Sequence, residues 1–181
     1  MKYTILAAAF LFSVVCKAQN DVPTAQQVLV KAYKQAKKEN KNIILMFHAS
    51  WCGWCKKMDA SIEDAKCKVF FDANYVIIHL TVDESKDKKN LENPGANEVR
   101  LKYHGEIAGL PFWVVLDKEG KLLADSYTRK AGVSKDEAGD NIGCPASETE
   151  VAAFIEILKN TSSLTQTQLD IIATRFKENK S

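Results

Sequence analysis

The stretch FHASWCGWCKKMD, residues 47–59, places Cys52 and Cys55 with two residues between them. A short apolar run rich in branched residues, NIILMFHAS (42–50), leads into it and is typical of a buried strand. Apolar residues then recur at four-residue spacing, at Trp54, Met58 and Ile62. This spacing predicts a helix that begins at or just after Cys52 and reaches about residue 65. The two cysteines are therefore expected at a junction between a strand and a helix.

A pair of cysteines at this spacing serves a zinc ion, a haem attachment, a structural disulfide or a redox-active dithiol. Haem attachment requires a histidine directly after the second cysteine, and Lys56 occupies that position. Structural zinc needs four ligands, commonly from two such pairs, and the sequence has no second pair. Further ligands could be recruited from His48, Cys67 or Cys144, but no spacing supports this. The sequence therefore favours a redox dithiol, with no metal and no cofactor predicted.

The position of the cysteines predicts which of them reacts first. A thiol in the first turn of a helix lies near unpaired backbone N–H groups and the positive end of the helix dipole. Both favour the thiolate, so Cys52 is predicted to be the nucleophile. Cys55 lies one helical turn further on and would resolve a mixed disulfide formed between Cys52 and a substrate. Trp51 and Trp54 are expected to form an apolar, accessible rim around the two thiols.

The remaining segments alternate between helical and strand patterns. A first helix is predicted over residues 23–41, with Thr24 as its cap. The segments that follow the cysteines are a short helix at 67–75, a buried strand at 75–83, and a polar loop at 84–106 with a short helix at 98–103. Beyond them come a hairpin at 110–127, an irregular connection at 128–146, a helix from the Ser147–Glu150 capping box through Lys159, and a last helix at 165–178. This order predicts an α/β fold, with a central mixed β-sheet flanked by helices on both faces.

Two motifs in this order resemble the thioredoxin family. One is the cysteine stretch, and the other is GLPFWVVLD (109–117), where Pro111 stands just ahead of a hairpin strand. In that family a cis-proline at this place faces the dithiol. The resemblance covers residues 40–127 and a helix near 149–159, and it implies a thioredoxin-like fold with an extra C-terminal helix. It also implies a thiol:disulfide oxidoreductase, with Cys52 and Cys55 catalytic and with substrate contacts at Trp51, Gly53, Trp54, Leu110 and Pro111.

Two departures from the family bear on the chemistry. Thioredoxin has a buried carboxylate six residues before the first cysteine, where this chain has Met46. Proton transfer at the second cysteine would then need water or another group, such as Glu63 or Lys56. Family members range from reductants near about −270 mV to oxidants near about −120 mV. Oxidants and isomerases often carry a histidine between the cysteines, so the pair Gly53–Trp54 favours reduction or disulfide exchange.

The N-terminal segment has the build of a secretory signal peptide. Lys2 is followed by an apolar stretch at residues 5–15, too short to span a membrane stably, and then by small and polar residues. Cleavage after Ala18 is predicted, so that residues 1–18 are the signal and 19–181 a thioredoxin-like domain with its helical extension. Export to the periplasm or secretion is therefore expected. A lipoprotein signal that acylates Cys16 is a less favoured reading, because the preceding residue, Val15, is not small.

The net charge gives no support to two classes of partner. The predicted signal peptide holds two of the 25 basic residues and none of the 23 acidic ones, so the mature chain is formally neutral. A neutral chain offers no electrostatic basis for binding nucleic acid or an anionic membrane. The expected partners are exported proteins with cysteines and a membrane or periplasmic electron donor. The alternative is a thioredoxin-like module that binds peptides through its tryptophan rim with little redox turnover.

The other cysteines and the histidines receive plainer interpretations. Cys67 is expected to be a small buried residue, and Cys144 to lie near the surface, since a proline follows it. Whether these two cysteines pair is left open. His48 is expected to be a packing or rim residue beside the dithiol, and no role is expected of His79 or His104.

Overall fold

The computed structural model describes residues 22–130, 132–134 and 137–180. The predicted signal peptide, its cleavage after Ala18 and the alternative acylation of Cys16 lie outside these residues. Among the described helices, none combines the length and the apolar character needed to cross a bilayer.

Six α-helices and six strands make up the described fold. The helices are α1 (Ala25–Glu39), α2 (Gly53–Ile62), α3 (Lys68–Asn74), α4 (Ala96–Lys102), α5 (Glu148–Thr161) and α6 (Gln166–Lys177). The strands are β1 (Asn42–His48), β2 (Tyr75–Thr81), β3 (Phe112–Leu116), β4 (Leu122–Asp125), β5 (Tyr127–Thr128) and β6 (Asp140–Asn141). Short 3₁₀ helices occupy Lys86–Leu91 and Glu178–Lys180.

Four of the strands form the central sheet, in the order β2–β1–β3–β4. Strand β1 is parallel to β2 and antiparallel to β3, and β3 is antiparallel to β4. Strands β5 and β6 form a separate antiparallel ribbon. The predicted mixed sheet is therefore confirmed, and the parallel pair brings the carboxyl ends of β1 and β2 to the same edge, beside the cysteines.

Alternation along β1 divides the core between the two faces of the sheet. Ile44 and Met46 pack on one face with α2, α3, α5 and α6. Leu45 and Phe47 pack on the other face with α1 and α4. The strand is buried on both faces, which explains why it reads as a continuous apolar run rather than an alternating one.

An aromatic cluster joins the C-terminal helix to this core. Phe176 of α6 lies 4.8 Å from Phe154 of α5 and 6.3 Å from Phe71 of α3, measured between ring centroids. Phe154 also meets the Trp113 ring of β3 edge-on at 5.4 Å. All four rings are at most 1% exposed. Helix α6 is thus part of the folding unit.

The helix caps follow the sequence, and some boundaries do not. Both predicted N-terminal caps are confirmed: Thr24 forms a capping box with Gln27, and Ser147 forms one with Glu150. Helix α2 ends at Ile62, three residues before the predicted end, where the Asp64 carboxylate accepts the N–H of Lys66 and stabilises a turn. The connection at 128–146 was predicted to be irregular. It contains strand β6 and Thr128, the last residue of β5, and these pair in the ribbon.

Candidate active site

The two cysteines of the opening stretch are joined by a disulfide. The Cys52 and Cys55 sulfurs are bonded at 1.95 Å, with Cα atoms 5.3 Å apart. Cys52 is the N-terminal cap of α2, and its sulfur accepts the backbone N–H of Cys55 at 3.0 Å. The predicted junction of strand and helix is confirmed. The arrangement points a helix N–H at the Cys52 sulfur, where it would stabilise a thiolate once the disulfide is reduced.

The disulfide lies in apolar surroundings, beneath a rim of exposed side chains. Both cysteines are buried, whereas Trp51 is 59% exposed and Trp54 48% exposed. Gly53, between Cys52 and Trp54, is also exposed, and a Cβ built there would meet no atom within 4 Å. The expected tryptophan rim is therefore present, but the rim is exposed while the sulfurs lie beneath it.

Each tryptophan of the rim has a polar contact that orients it. The Trp51 indole N–H donates to the Asp83 carbonyl oxygen at 2.8 Å. Asp83 has a left-handed backbone, φ 53°, and its carboxylate receives two hydrogen bonds from the buried Arg100 guanidinium. The Lys57 ammonium lies over the Trp54 ring, 4.8 Å from its centroid. These contacts restrict the orientation of two large exposed side chains beside the disulfide.

A buried carboxylate holds the loop that leads into Cys52. Glu84 accepts the backbone N–H of Ser50 and also the Ser50 hydroxyl, the latter at 2.7 Å. Burial alone would raise the pKa of the Glu84 carboxyl, but the hydrogen bonds from Ser50 outweigh it and hold the pKa below its usual value. Glu84 is therefore charged at neutral pH. Its contribution to stability is present at neutral pH and is lost as the pH falls through the lowered pKa.

The second predicted motif lies against the disulfide. The Leu110–Pro111 peptide bond is cis, as the resemblance implied. Leu110 packs on the small apolar cluster formed by Ala49, Cys52 and Cys55. The structure therefore brings together the two motifs, which are more than fifty residues apart in sequence.

Asn141 fixes the position of this proline loop, and sequence reasoning missed it. Its side-chain amide donates to the carbonyl oxygens of Gly109 at 2.7 Å and Pro111 at 3.1 Å. Its amide oxygen accepts the Ser126 hydroxyl at 2.7 Å and the Gly143 N–H at 3.1 Å. Asn141 lies at the end of β6, thirty residues from Pro111, so no local pattern indicates the contact.

A groove runs beside the proline loop. It has a volume of about 250 Å³, and its lining includes Trp54, Leu110, Ile142, Cys144 and Glu150. Trp54 and Leu110 form one wall of the groove. The segment that follows β6, with Ile142 and Cys144, forms the other wall. A larger cavity of about 980 Å³ lies along β2 and α1 and has neither cysteine in its lining.

The structure offers no close substitute for the thioredoxin carboxylate among the residues considered from sequence. Met46 is fully buried in the core on the α2 face. Glu63 is exposed and pairs with the Lys68 ammonium at 2.8 Å. Lys56 is exposed as well. Neither Glu63 nor Lys56 is therefore placed to serve Cys55 as a buried proton-transfer group.

Three polar side chains meet at the carboxyl end of β1 and β2. The ring centroids of His48 and His79 are 4.9 Å apart, and His79 Nε2 lies 2.9 Å from Asp59 Oδ1. Burial, followed by the neighbouring His79, lowers the pKa of His48, although Asp59 and Glu84 oppose this. The sequence predicted no role for His79. Its contacts with His48 and Asp59 join β2 to β1 and to α2.

The other two cysteines among the described residues carry free thiols. Cys67 and Cys144 are both buried and unpaired in the structure. The expectation for Cys67 is confirmed, but the expectation that Cys144 lies near the surface is wrong. Asn179, which follows α6, donates its side-chain amide to the Cys144 sulfur at 3.4 Å and to the Pro145 carbonyl, so the C-terminal segment covers this thiol.

We expect these two thiols to resist alkylation in the folded, reduced protein. Burial raises the pKa of Cys67 to about 11 and that of Cys144 to about 12. At pH 7.5 less than about one thiol in a thousand is then ionised, and the thiolate is the reactive form. Mass spectrometry after iodoacetamide treatment should show label on Cys52 first. In the chain without residues 1–18, labelling of all four cysteines is expected only in urea, and rapid labelling of Cys144 without urea would contradict the assignment.

Residues 29–135, more than half of the chain, match the family described as the thioredoxin-like domain. The chain belongs to the thioredoxin-like family. The fold class predicted from sequence, a mixed sheet flanked by helices with an extra C-terminal helix, is thereby confirmed.

Relatives of this thioredoxin-like protein include named disulfide enzymes. The disulfide bond reductase DsbH of Chlamydia pneumoniae is 28% identical over 96 residues, which cover 52% of this chain and 57% of DsbH. Protein disulfide-isomerase A5 of Bos taurus is 48% identical over 82 residues, covering 44% of this chain and 16% of that protein. A solved disulphide isomerase from Xylella fastidiosa Temecula1 has a TM-score of 0.47 and 24% identity, covering 60% of this chain and 77% of that chain. The match spans less than two thirds of each of the two curated relatives.

Proposed function

We propose that this chain is an exported thiol–disulfide oxidoreductase that acts on protein disulfides through Cys52 and Cys55. The observation that carries the proposal is the Cys52–Cys55 disulfide at the start of α2, with Leu110 of the cis-proline loop packed on it. The named activities of the DsbH and isomerase relatives support the same chemistry. Export rests on the signal-like pattern of residues 1–18.

The reaction begins with the reduced protein. The Cys52 thiolate attacks one sulfur of a substrate disulfide, forms a mixed disulfide and expels the other substrate sulfur as a thiolate. The Cys55 thiolate then attacks the Cys52 sulfur, which releases the second substrate thiolate and forms the Cys52–Cys55 disulfide. The substrate gains two electrons and the protein loses two. An external dithiol donor must return those electrons before the next cycle.

The groove beside the disulfide supplies a place for the substrate chain. An extended peptide can pair with backbone at Leu110, on the loop that Asn141 holds from both sides. Its apolar side chains can contact Trp51 and Trp54, which are large, exposed and oriented. Protein segments next to a disulfide fit this surface better than a small charged ligand does.

The direction of electron flow is proposed to be reductive or exchanging. The residues between the cysteines are Gly53 and Trp54, and neither supplies a positive charge to stabilise the Cys52 thiolate. A less stabilised thiolate makes the dithiol a stronger reductant. A membrane or periplasmic electron donor would then keep the pair reduced.

A second candidate is a peptide-binding module with little redox turnover. The observation that favours it is the exposure of Trp51 and Trp54 above sulfurs that are themselves covered. The two candidates differ in what Cys52→Ser does: it removes turnover from an enzyme but leaves the binding of a peptide to the tryptophan rim in place.

Trapping of the mixed disulfide tests the proposed enzyme. In Cys55→Ser the resolving thiol is absent, so Cys52 is expected to remain bonded to its substrate protein. A suitable substrate is insulin that has been reduced and then reoxidised, so that it carries disulfides. The adduct should appear as a mass increase that dithiothreitol reverses. Cys52→Ser is the matched control, because it lacks the sulfur that caps α2 and accepts the Cys55 N–H. Equal trapping by both variants, or by neither, would contradict the assigned roles.

Replacing Asn141 by alanine is expected to weaken substrate binding. The change removes two hydrogen bonds to the proline loop, each contributing about 1 kcal/mol, so kcat/KM for a protein disulfide should fall by up to about thirtyfold, mainly through KM. Reduction of the Cys52–Cys55 disulfide by dithiothreitol should be nearly unchanged. Asn160→Ala, on the exposed face of α5, is the control. A fall in kcat alone would contradict a positioning role.

A further inference from the structure

The chain carries a group of metal-ligand side chains that the disulfide chemistry does not use. One ligand atom from each of His48, Asp59 and His79 lies within 4.8 Å of the other two. The residues come from the end of β1, the middle of α2 and the end of β2. We propose that these three side chains form a binding site for a divalent transition-metal ion such as Zn²⁺, which ties α2 to the sheet edge.

The sheet register explains why the two histidines meet. His48 of β1 is paired with Thr81, and His79 is paired with Met46, so both histidines project from the face that carries α2. Helix α2 crosses this face and presents Asp59 to them. The three ligands are therefore set by the sheet and by a helix whose start is anchored at the disulfide.

The distances between the ligand atoms are close to those around a bound zinc ion. Ligand atoms around zinc, each about 2.0–2.2 Å from the metal, lie about 3.0–3.5 Å from one another. His79 Nε2 and Asp59 Oδ1, at 2.9 Å, already have nearly this spacing. The 4.8 Å limit for the whole group means that the His48 ring must rotate toward the other two. All three residues are half-buried, so core packing does not enclose the site.

A neighbouring hydroxyl can orient the His48 ring. His48 Nε2 and Thr81 Oγ1 are 3.2 Å apart. In the tautomer that donates from Nε2 to this hydroxyl, Nδ1 keeps its lone pair for a metal. Metal-bound histidines commonly donate their other ring nitrogen to such a partner, which fixes the tautomer.

The ligand set and its access select the class of ion. Two imidazoles and one carboxylate suit zinc and its neighbours in the transition series, whereas Mg²⁺ and Ca²⁺ prefer oxygen ligands alone. Three protein ligands leave a tetrahedral ion one position for water. The side chains of His79 and Asp59 are 33% and 39% exposed, so an ion can reach them from solvent.

Calorimetric titration of the oxidised protein with ZnCl₂ tests the proposal. The Cys52–Cys55 disulfide must be intact, so that these thiols cannot bind zinc themselves, and the result is then independent of the redox function. We expect one Zn²⁺ per chain and at least tenfold weaker binding in Asp59→Asn and in His79→Gln. His104→Gln is the matched control and should bind as tightly as the parent. MgCl₂ should give no binding.

Thermal unfolding gives a second readout on the same variants. Saturating zinc is expected to raise the Tm of the parent and of His104→Gln, but not of Asp59→Asn or His79→Gln. His48→Gln separates a three-ligand site from the existing Asp59–His79 pair and should also weaken binding at least tenfold. The proposal is overturned if the oxidised parent binds no Zn²⁺ at 100 µM, or if the three ligand variants bind like His104→Gln.

Discussion

Replacing Cys52 by serine is expected to lower the rate of protein disulfide reduction by at least about 10³-fold. A serine hydroxyl is not ionised at neutral pH, so the variant has no nucleophile at the start of α2. The sulfur left in the pair, at Cys55, is not the one that caps α2 and accepts a helix N–H. The effect is measured as the rate of insulin reduction with dithiothreitol as the electron donor, monitored by the precipitation of the insulin B chain.

The control for this variant is Cys67→Ala, which removes a buried thiol at the start of α3, beyond the C-terminal end of α2. It should keep most of the activity at a temperature where the protein is folded. Cys52→Ser should also retain its fold, because a serine hydroxyl can cap α2 as the sulfur does and the lost disulfide closes a loop of only three residues. A Cys52→Ser protein that still reduces insulin at a tenth of the parent rate would contradict the assigned nucleophile.

Replacing Phe176 by alanine is expected to lower the free energy of unfolding by about 3–5 kcal/mol. The ring is fully buried and packs on Phe154 and Phe71, so its removal loses apolar burial and leaves a cavity. This loss is as large as for a residue in the middle of the sheet, because α6 belongs to the same core. The expected change is a large fraction of the stability of an ordinary domain.

Urea unfolding, followed by circular dichroism, measures this loss. Leu101→Ala in α4 is the control, because Leu101 is 56% exposed and its truncation should change the stability by less than about 0.5 kcal/mol. A loss below about 1 kcal/mol for Phe176→Ala would show that α6 is an appendage that packs loosely on the domain.

The parts of this structure that depend on local chemistry could be predicted from the sequence. The apolar run before Cys52 folds as β1 because both its faces are buried, and Thr24 and Ser147 cap helices through their own neighbours. The position of Cys52 at the start of α2 follows from the same local signals. Pro111 was placed by a family resemblance, and its contact with the disulfide through Leu110 is long-range.

The parts that depend on distant residues could not be predicted. Asn141 reaches the proline loop only because the β5–β6 ribbon folds back over it, and nothing near Asn141 in sequence indicates this. Cys144 is covered by Asn179 from beyond α6. His48 and His79 meet through the register of two parallel strands, which their separate sequence patterns do not specify.

The reduction potential of the Cys52–Cys55 pair tests the central proposal most directly. The protein without residues 1–18 would be equilibrated in glutathione buffers of graded potential, quenched with a thiol-labelling reagent and weighed by mass spectrometry. We expect reversible two-electron exchange with a midpoint below about −220 mV, the range of a reductase that needs an electron supply. A midpoint above about −160 mV would contradict the reductive direction. A pair that does not exchange at any potential would contradict the oxidoreductase and leave the peptide-binding module.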